Sequence, residues 1–292
     1  MMKPATTKTT YEPVVGWPAV PHGFFLHEAT SVGMDSQDRV YVFNRGQWPM
    51  IIFDKEGNFL DAWGAGEFDI PHGISFDAAD NMYLADNANF VQKRTSDGEV
   101  LLTLGARGVD KPRHTGGPFN SPTHVAIDPR NGDWFVSDGY RNSSVHRFDA
   151  AGKHMMSWGE SGSGPGQFAL LHNVWVDSRG RVFICDRENN RVQIFDAHMN
   201  FVDDWRHFGR PSGVAILADD RLFVADSESG RMIFGELRNP GWKNGVRFGS
   251  ARDGSLQGFI DGTDPEGLAV DELGNVWAGL TSTPILQKWV EP

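Results

Sequence analysis

One short phrase recurs along this chain, and it limits what the chain can fold into. Two clear copies are Ile70-Pro71-His72-Gly73-Ile74-Ser75-Phe76-Asp77 and Leu170-Leu171-His172-Asn173-Val174-Trp175-Val176-Asp177. Each is followed by a turn and a second apolar run ending in Asp, at Met82 to Asp86 and at Val182 to Asp186. Aligned on the residue that closes the first run, six copies are found: Thr30 to Asp35, His72 to Asp77, Thr123 to Asp128, His172 to Asp177, Ser212 to Leu217 and Glu266 to Asp271. They are separated by roughly 40 to 54 residues, the period of propeller blades.

Within each copy the order of runs is constant. The first strand leads through a turn such as Ser178-Arg179-Gly180 to a second strand (Val40 to Phe43, Trp134 to Ser137, Leu222 to Ala225). A third strand ends in Phe-Asp (Ile51 to Asp54, Val145 to Asp149, Val192 to Asp196), and a fourth ends at Trp (Phe59 to Trp63, His154 to Trp158, Phe201 to Trp205). Short strands, 34 Gly and 12% aromatic residues suit β-sheets joined by tight turns and do not suit a helical bundle. The expected fold is all-β, a six-bladed β-propeller with residues 11–292 as one domain behind a disordered leader at 1–10. The sixth repeat lacks a good fourth strand, and Tyr11 to Trp17 has the character to supply it, closing the ring without an open edge. Longer inserts at Gly105 to Asn120, Gly159 to Gln167 and Arg238 to Thr263 are expected before inner strands, crowding one face. The Trp, Phe and Asp signatures themselves read as packing and turn residues, which define the fold and carry no chemistry.

The formal net charge of -11, with scattered basic residues, argues against a nucleic-acid groove or an anionic membrane as partner. Cys185 is the single cysteine, so no intrachain disulfide can form. Met1 to Thr10 lacks the apolar stretch of a signal peptide, and no apolar run approaches the roughly 20 residues that span a bilayer. The expectation is a cytoplasmic protein.

First strands of propeller blades line the central channel, so the equivalent positions Thr30, His72, Thr123, His172, Ser212 and Glu266 form a ring at one height. His72, His172 and Glu266 stand on alternate blades and converge as a tripod. Two imidazoles and a carboxylate with an open position form the kind of site that holds catalytic zinc or non-haem iron. The competing reading is that the three merely line a solvated channel. His22, His27, His114, His124 and His207 lie near inner-strand starts and are expected as loop or surface residues, any of which could complete the site in place of Glu266. Arg45, Tyr140 and Arg187 follow the second strands of their blades, on the same rim. Guanidiniums there suit a substrate carboxylate, and a phenol beside a cation and a metal can have its pKa lowered and act as a base. The arginines could instead pair with acidic neighbours between blades.

The phrases Pro71-His72-Gly73-Ile74, Asp138-Gly139-Tyr140-Arg141-Asn142-Ser143, Pro165-Gly166-Gln167-Phe168 and Asp186-Arg187-Glu188-Asn189 resemble the lyase domain of peptidylglycine α-amidating enzymes, within the broader NHL-repeat propellers. The resemblance runs through all six repeats and is densest from Phe119 to Asp196. It implies a zinc ion held by three histidines, a tyrosine base, arginines for the substrate carboxylate, and cleavage of an α-hydroxyglycine to an amide and glyoxylate. Under it His72 and His172 match two zinc ligands, Tyr140 the base, and Arg45 and Arg187 the arginines. The third ligand departs from the pattern, with Asp264-Pro265-Glu266-Gly267 where the family has Met-Pro-His-Asp. Gly267 replaces the Asp that holds the family's structural calcium, and Arg141, Phe183 and Ile194 stand at three of its disulfide positions.

The expectation is therefore a metal-dependent lyase acting on a small-molecule carboxylate, a carbinolamide or related 2-hydroxy acid. Two alternatives stay open, a metal-dependent hydrolase of the lactonase type and a non-catalytic NHL-type binding scaffold.

Overall fold

The computed structural model describes residues 11–291, apart from 110–111, 115–116 and 283–284. The expected leader at 1–10 lies outside the described residues. Six four-stranded antiparallel sheets follow one another, four of them built from consecutive strands and a fifth interrupted by a short hairpin. The inner strands are Ala29–Met34, Pro71–Phe76, Pro122–Ile127, Leu171–Val176, Pro211–Ile216 and Pro265–Val270. Each contacts the next and the last contacts the first, so the six blades close into a ring. The sixth blade takes its outer strand from the other end of the chain, with Glu12–Pro13 paired to Leu286–Val290. The Tyr11 hydroxyl donates to the Gly274 carbonyl at 2.8 Å and pins that strand in place.

Apolar packing lies between blades. Six core clusters occur among the described residues, one at each interface between neighbours. Trp17 and Trp277 fill the seam between blades six and one, and Trp205 with Phe183 the seam between blades four and five. Burying one such large side chain stabilises the fold by about 1.5–3 kcal/mol, so each blade depends on both neighbours.

The aspartates that end most inner strands are turn builders. Asp77 accepts the backbone N–H groups of Ala79 and Asn81, and Asp177 those of Arg179 and Arg181. Asp80, Gly180 and Gly274 then sit at φ of 59°, 78° and 95°, a left-handed backbone that Gly and Asp tolerate. On the opposite face, aspartates at the ends of second strands hold the loops that enter the inner strands. Fully buried Asp86 accepts from the Asp69 and Ile70 N–H groups, and Asp186 accepts from Ala169 and from Arg191. These clamps fix the chain one or two residues before Pro71-His72 and Leu171-His172.

One expected boundary is corrected. Arg238 to Thr263 is not a single insert before an inner strand, because Gly245–Ser250 and Leu256–Ile260 are the third and fourth strands of blade five. The insertion runs over 227–244, between the second and third strands, and carries a short hairpin, Met232–Ile233 with Glu236–Leu237. Glycines hid the strand pattern, and packing requires them. A Cβ at Gly258 would meet the Phe248 ring at 2.1 Å, and one at Gly249 the Ser255 carbonyl at 2.1 Å. Among the described residues no helix is long and apolar enough to cross a membrane.

Candidate metal centre

All six ring positions share a backbone feature that alternation along a strand does not announce. In every blade the pairing of first and second strands slips at the ring residue, between Ala29 and Ser31, Pro71 and Gly73, Pro122 and His124, Leu171 and Asn173, Pro211 and Gly213, and Pro265 and Gly267. Thr30, His72, Thr123, His172, Ser212 and Glu266 are thus the extra residues of β-bulges. A bulge re-aims its side chain out of the pleat.

Ligand-capable atoms of His72, His172 and Glu266 lie within 4.8 Å of one another, close enough for one ion to be shared. Each histidine is oriented by the next blade. His72 Nδ1 donates to the Thr123 carbonyl at 2.7 Å, and His172 Nδ1 donates to the Ser212 carbonyl at 2.5 Å. A carbonyl can only accept, so Nδ1 carries a proton and Nε2 is the ring nitrogen turned to the centre. The hydroxyl ring positions brace the same segments. Thr30 Oγ1 donates to the Pro71 carbonyl at 3.1 Å and Thr123 Oγ1 to the Leu171 carbonyl at 3.3 Å, the residues just before the two histidines.

Glu266 is held by side chains. Its Oε2 accepts from Ser227 Oγ at 2.7 Å, and its Oε1 lies 2.8 Å from His172 Nε2 and 3.2 Å from Arg187 Nη1. Burial opposes its charge, yet His172 and Arg187 keep its carboxyl well below the usual range. Burial and the neighbouring His172 push His72 well below the ordinary histidine value, so its ring is neutral. An anionic carboxylate and two imidazoles whose Nδ1 atoms are engaged all turn their ligand atoms to one point. That donor set fits a divalent cation, with two nitrogens and one oxygen. A Cβ at Gly267 would meet the Thr30 carbonyl at 2.7 Å, so a carboxylate side chain there has no room on this backbone.

Tyr140 closes the tripod from above. Its hydroxyl is 3.2 Å from His72 Nε2 and 3.1 Å from His172 Nε2. With the chain's own groups alone, burial pushes this phenol up to about 12, although Arg187 lowers it. Among these groups the loss of water and the Glu266 carboxylate outweigh the guanidinium.

The arginines are brought to the rim and are ion-paired there. Arg187, 5% exposed, lies over the Tyr140 ring and contacts Glu266, with Glu228 at 3.9 Å. Arg45 bonds Glu28 at 2.7 Å, and its Nε donates to the Pro71 carbonyl at 3.3 Å beside His72. None of His22, His27, His114, His124 and His207 joins the ligand cluster among the described residues. His207 bonds the Gly254 carbonyl at 2.7 Å, and His114 meets Ser161 at 2.9 Å.

Sequence reasoning missed Ser227 and Glu228. The signal was available, since Ser227 follows the Asp ending its second strand as Arg187 does in blade four. Glu228 is 8% exposed and gathers Arg187, Arg210, Arg231 and Arg238 around the rim.

Comparison with known proteins agrees with the fold. A family model described as a 6-bladed β-propeller matches residues 125–223, and the chain is a six-bladed β-propeller. Peptidyl-glycine alpha-amidating monooxygenase A of Xenopus laevis is 31% identical over 232 residues, covering 66% of this chain and 24% of that protein. A probable peptidyl-alpha-hydroxyglycine alpha-amidating lyase of Caenorhabditis elegans is 32% identical over 156 residues, covering 51% of this chain and 43% of that one. Human NHL repeat-containing protein 3 is 32% identical over 206 residues, with 65% and 58% covered. The chain is thus a relative of the amidating lyases among the NHL-repeat propellers, and spans about a quarter of the length of the Xenopus monooxygenase. A streptogramin B lyase structure superposes with a TM-score of 0.62 at 10% identity, covering 97% of this chain and 98% of that one, a likeness of fold.

Proposed function

We propose that this protein is a metal-dependent lyase that cleaves a small carboxylate-bearing carbinolamide, an N-acyl-α-hydroxyglycine or a related 2-hydroxy acid. The observation that carries the reading is the convergence of His72, His172 and Glu266 beneath the Tyr140 hydroxyl. The likeness to amidating lyases supports the same chemistry. A divalent cation held by the three, zinc or iron, supplies a Lewis acid for the substrate's oxygens.

The chain's own groups account for the rest. Tyr140, once ionised, takes the proton of the substrate hydroxyl. The O–H electron pair becomes the second bond of a carbonyl, the C–N bond breaks, and its pair goes to the departing nitrogen. Tyr140 returns the proton to that nitrogen, leaving an amide and a 2-oxo acid. Arg187 favours the ionised phenol from above its ring, and Arg45 and Arg187 hold the substrate carboxylate in exchange for Glu28 and Glu228.

The test has two parts. Elemental analysis of protein purified without chelator gives about one metal per chain under this reading. Tyr140→Phe keeps the metal and loses about 10²–10⁴-fold in 2-oxo acid release from an N-acyl-α-hydroxyglycine. Full activity in that variant overturns the mechanism. The likeness to NHL repeat-containing protein 3 favours a second reading, a binding scaffold, which metal-free protein without turnover would support. Turnover of lactones or esters in place of carbinolamides would support the hydrolase.

A further inference from the structure

Among the described residues, blade five alone carries a hairpin between its second and third strands. The stem of this insert belongs to the rim of the candidate site. Ser227, its first residue, donates to Glu266 at 2.7 Å. Glu228 lies 3.3 Å from both Arg231 and Arg238, the residues that flank the hairpin. Arg238 also pairs with Glu188, next to Arg187 on blade four, and its N–H donates to the Arg231 carbonyl at 2.9 Å. Ion pairs thus tie the hairpin to the blade that supplies Arg187.

The tip carries a residue that its turn does not favour. Pairing of Met232 with Leu237 and of Ile233 with Glu236 leaves Phe234-Gly235 as a two-residue loop. Both have positive φ, 51° and 85°. A turn of this kind favours Asn or Gly at its first position, and a bulky side chain there is strained. Burial gives Phe234 no compensation, because its side chain is fully exposed. Met232 and Leu237, paired across the hairpin, are exposed as well. Neither turn geometry nor packing accounts for an aromatic ring here, and a strained, solvated apolar residue on the rim of a site points to contact with a ligand.

The size of the patch and the chemistry beside it indicate the occupant. One aromatic side chain presents about 150–250 Å², and with two part-exposed neighbours the tip falls short of the about 800 Å² per partner of a stable protein interface. A small apolar group suits it better. In the reaction proposed above, the substrate carboxylate goes to Arg45 and Arg187 and the hydroxyl to Tyr140. The substituent on the nitrogen is the part left to reach the rim. Glu188, Glu228, Arg210 and Arg238 fill that rim with paired charges, and the hairpin supplies apolar surface.

We propose, resting on the carbinolamide reading above, that this hairpin is a specificity element whose Phe234 ring packs against an apolar acyl group on the scissile nitrogen. Two measurements separate this subsite from the chemistry. Kinetics compares kcat/KM for N-benzoyl-α-hydroxyglycine and N-acetyl-α-hydroxyglycine. Titration calorimetry compares binding of N-benzoylglycine and N-acetylglycine, which lack the reacting hydroxyl. The benzoyl compound should be favoured at least about tenfold in both, and Phe234→Asn should cut that preference at least about fivefold. Because Asn suits the turn, this variant should melt no lower than the parent and keep its metal content, a result that loss of folding would not give. Phe234→Trp should retain the preference. Selective binding that depends on Phe234, without turnover of either carbinolamide, would support the subsite and overturn the lyase. Turnover of both compounds with no preference, or a preference unchanged in Phe234→Asn, would overturn the subsite alone. Neither binding nor turnover would overturn both. A dimer in sedimentation, or binding to phosphatidylcholine vesicles, that Phe234→Asn abolishes would assign the tip to a second copy or a lipid surface and overturn the proposal.

Discussion

The histidines of blades two and four and the glutamate of blade six reach the same point by different support. His72 and His172 are each held by a main-chain carbonyl of the next blade, Thr123 and Ser212. Glu266 is held by Ser227 and Arg187, side chains from blades five and four. Main-chain support is available to any sequence that folds into this ring. Side-chain support exists only where Ser and Arg stand at those positions, so blade six can change its ligand while the other two remain fixed. The Thr30 carbonyl sits beside Gly267 as the Thr123 carbonyl sits beside Gly73, at 2.7 Å and 2.5 Å from the position of a Cβ. Blade six therefore retains the acceptor that a histidine would use.

The contrast can be broken or sharpened by substitution. Glu266→Ala should have the largest effect. It removes one ligand and the charge partner of buried Arg187, so metal content falls towards zero by elemental analysis and stability drops by about 3 kcal/mol in denaturant titration. Unchanged metal content would break the comparison. Glu266→His sharpens it, because the Thr30 carbonyl can orient the new ring, and about one metal per chain should be retained. Ser227→Ala leaves all three ligands but frees Oε2 of Glu266, and chelator competition should show metal affinity about 10–100-fold weaker. Thr30→Val removes one brace on the histidine side, costs about 1 kcal/mol and leaves metal content unchanged.

The smallest effect concerns pH and separates the two faces. On the turn face, hydrogen bonds from Asn81 hold Asp77 below the ordinary carboxylate range against burial, and Arg130 does the same for Asp128. A carboxylate lowered in the folded state contributes stability that is present above its unfolded value and lost as pH falls through the folded one. On the tripod face, burial raises Asp86 and Asp186, which act in the opposite sense. Melting temperature should stay level from pH 7 to about 5 and fall below about 4. A rise on acidification would mean that the buried pair outweighs the turns.

Much of this was legible in the chain. Each blade repeats the same problem of strand, turn and packing, so turn aspartates and strand-ending tryptophans recur at one period. Aligning them places His72, His172 and Glu266 on alternate blades, and Tyr140 with Arg187 on the rim above. Blade five was harder to read, since Gly249 and Gly258 fit close packing and weaken the strand pattern.

The sequence by itself determined the number of blades, the closure of the ring by the N-terminal strand, and which residues share one height around the axis. Those follow from local periodicity, which a linear chain displays. Only the tertiary structure decided that ring residues are bulged into the channel, that carbonyls from the next blade fix the imidazole tautomers, and that Arg187 and Arg45 find Glu266 and Glu28. The carbonyls that hold His72 and His172 lie 51 and 40 residues away in sequence and Glu266 lies 79 from Arg187, and nothing in the local pattern records which side chain will meet which.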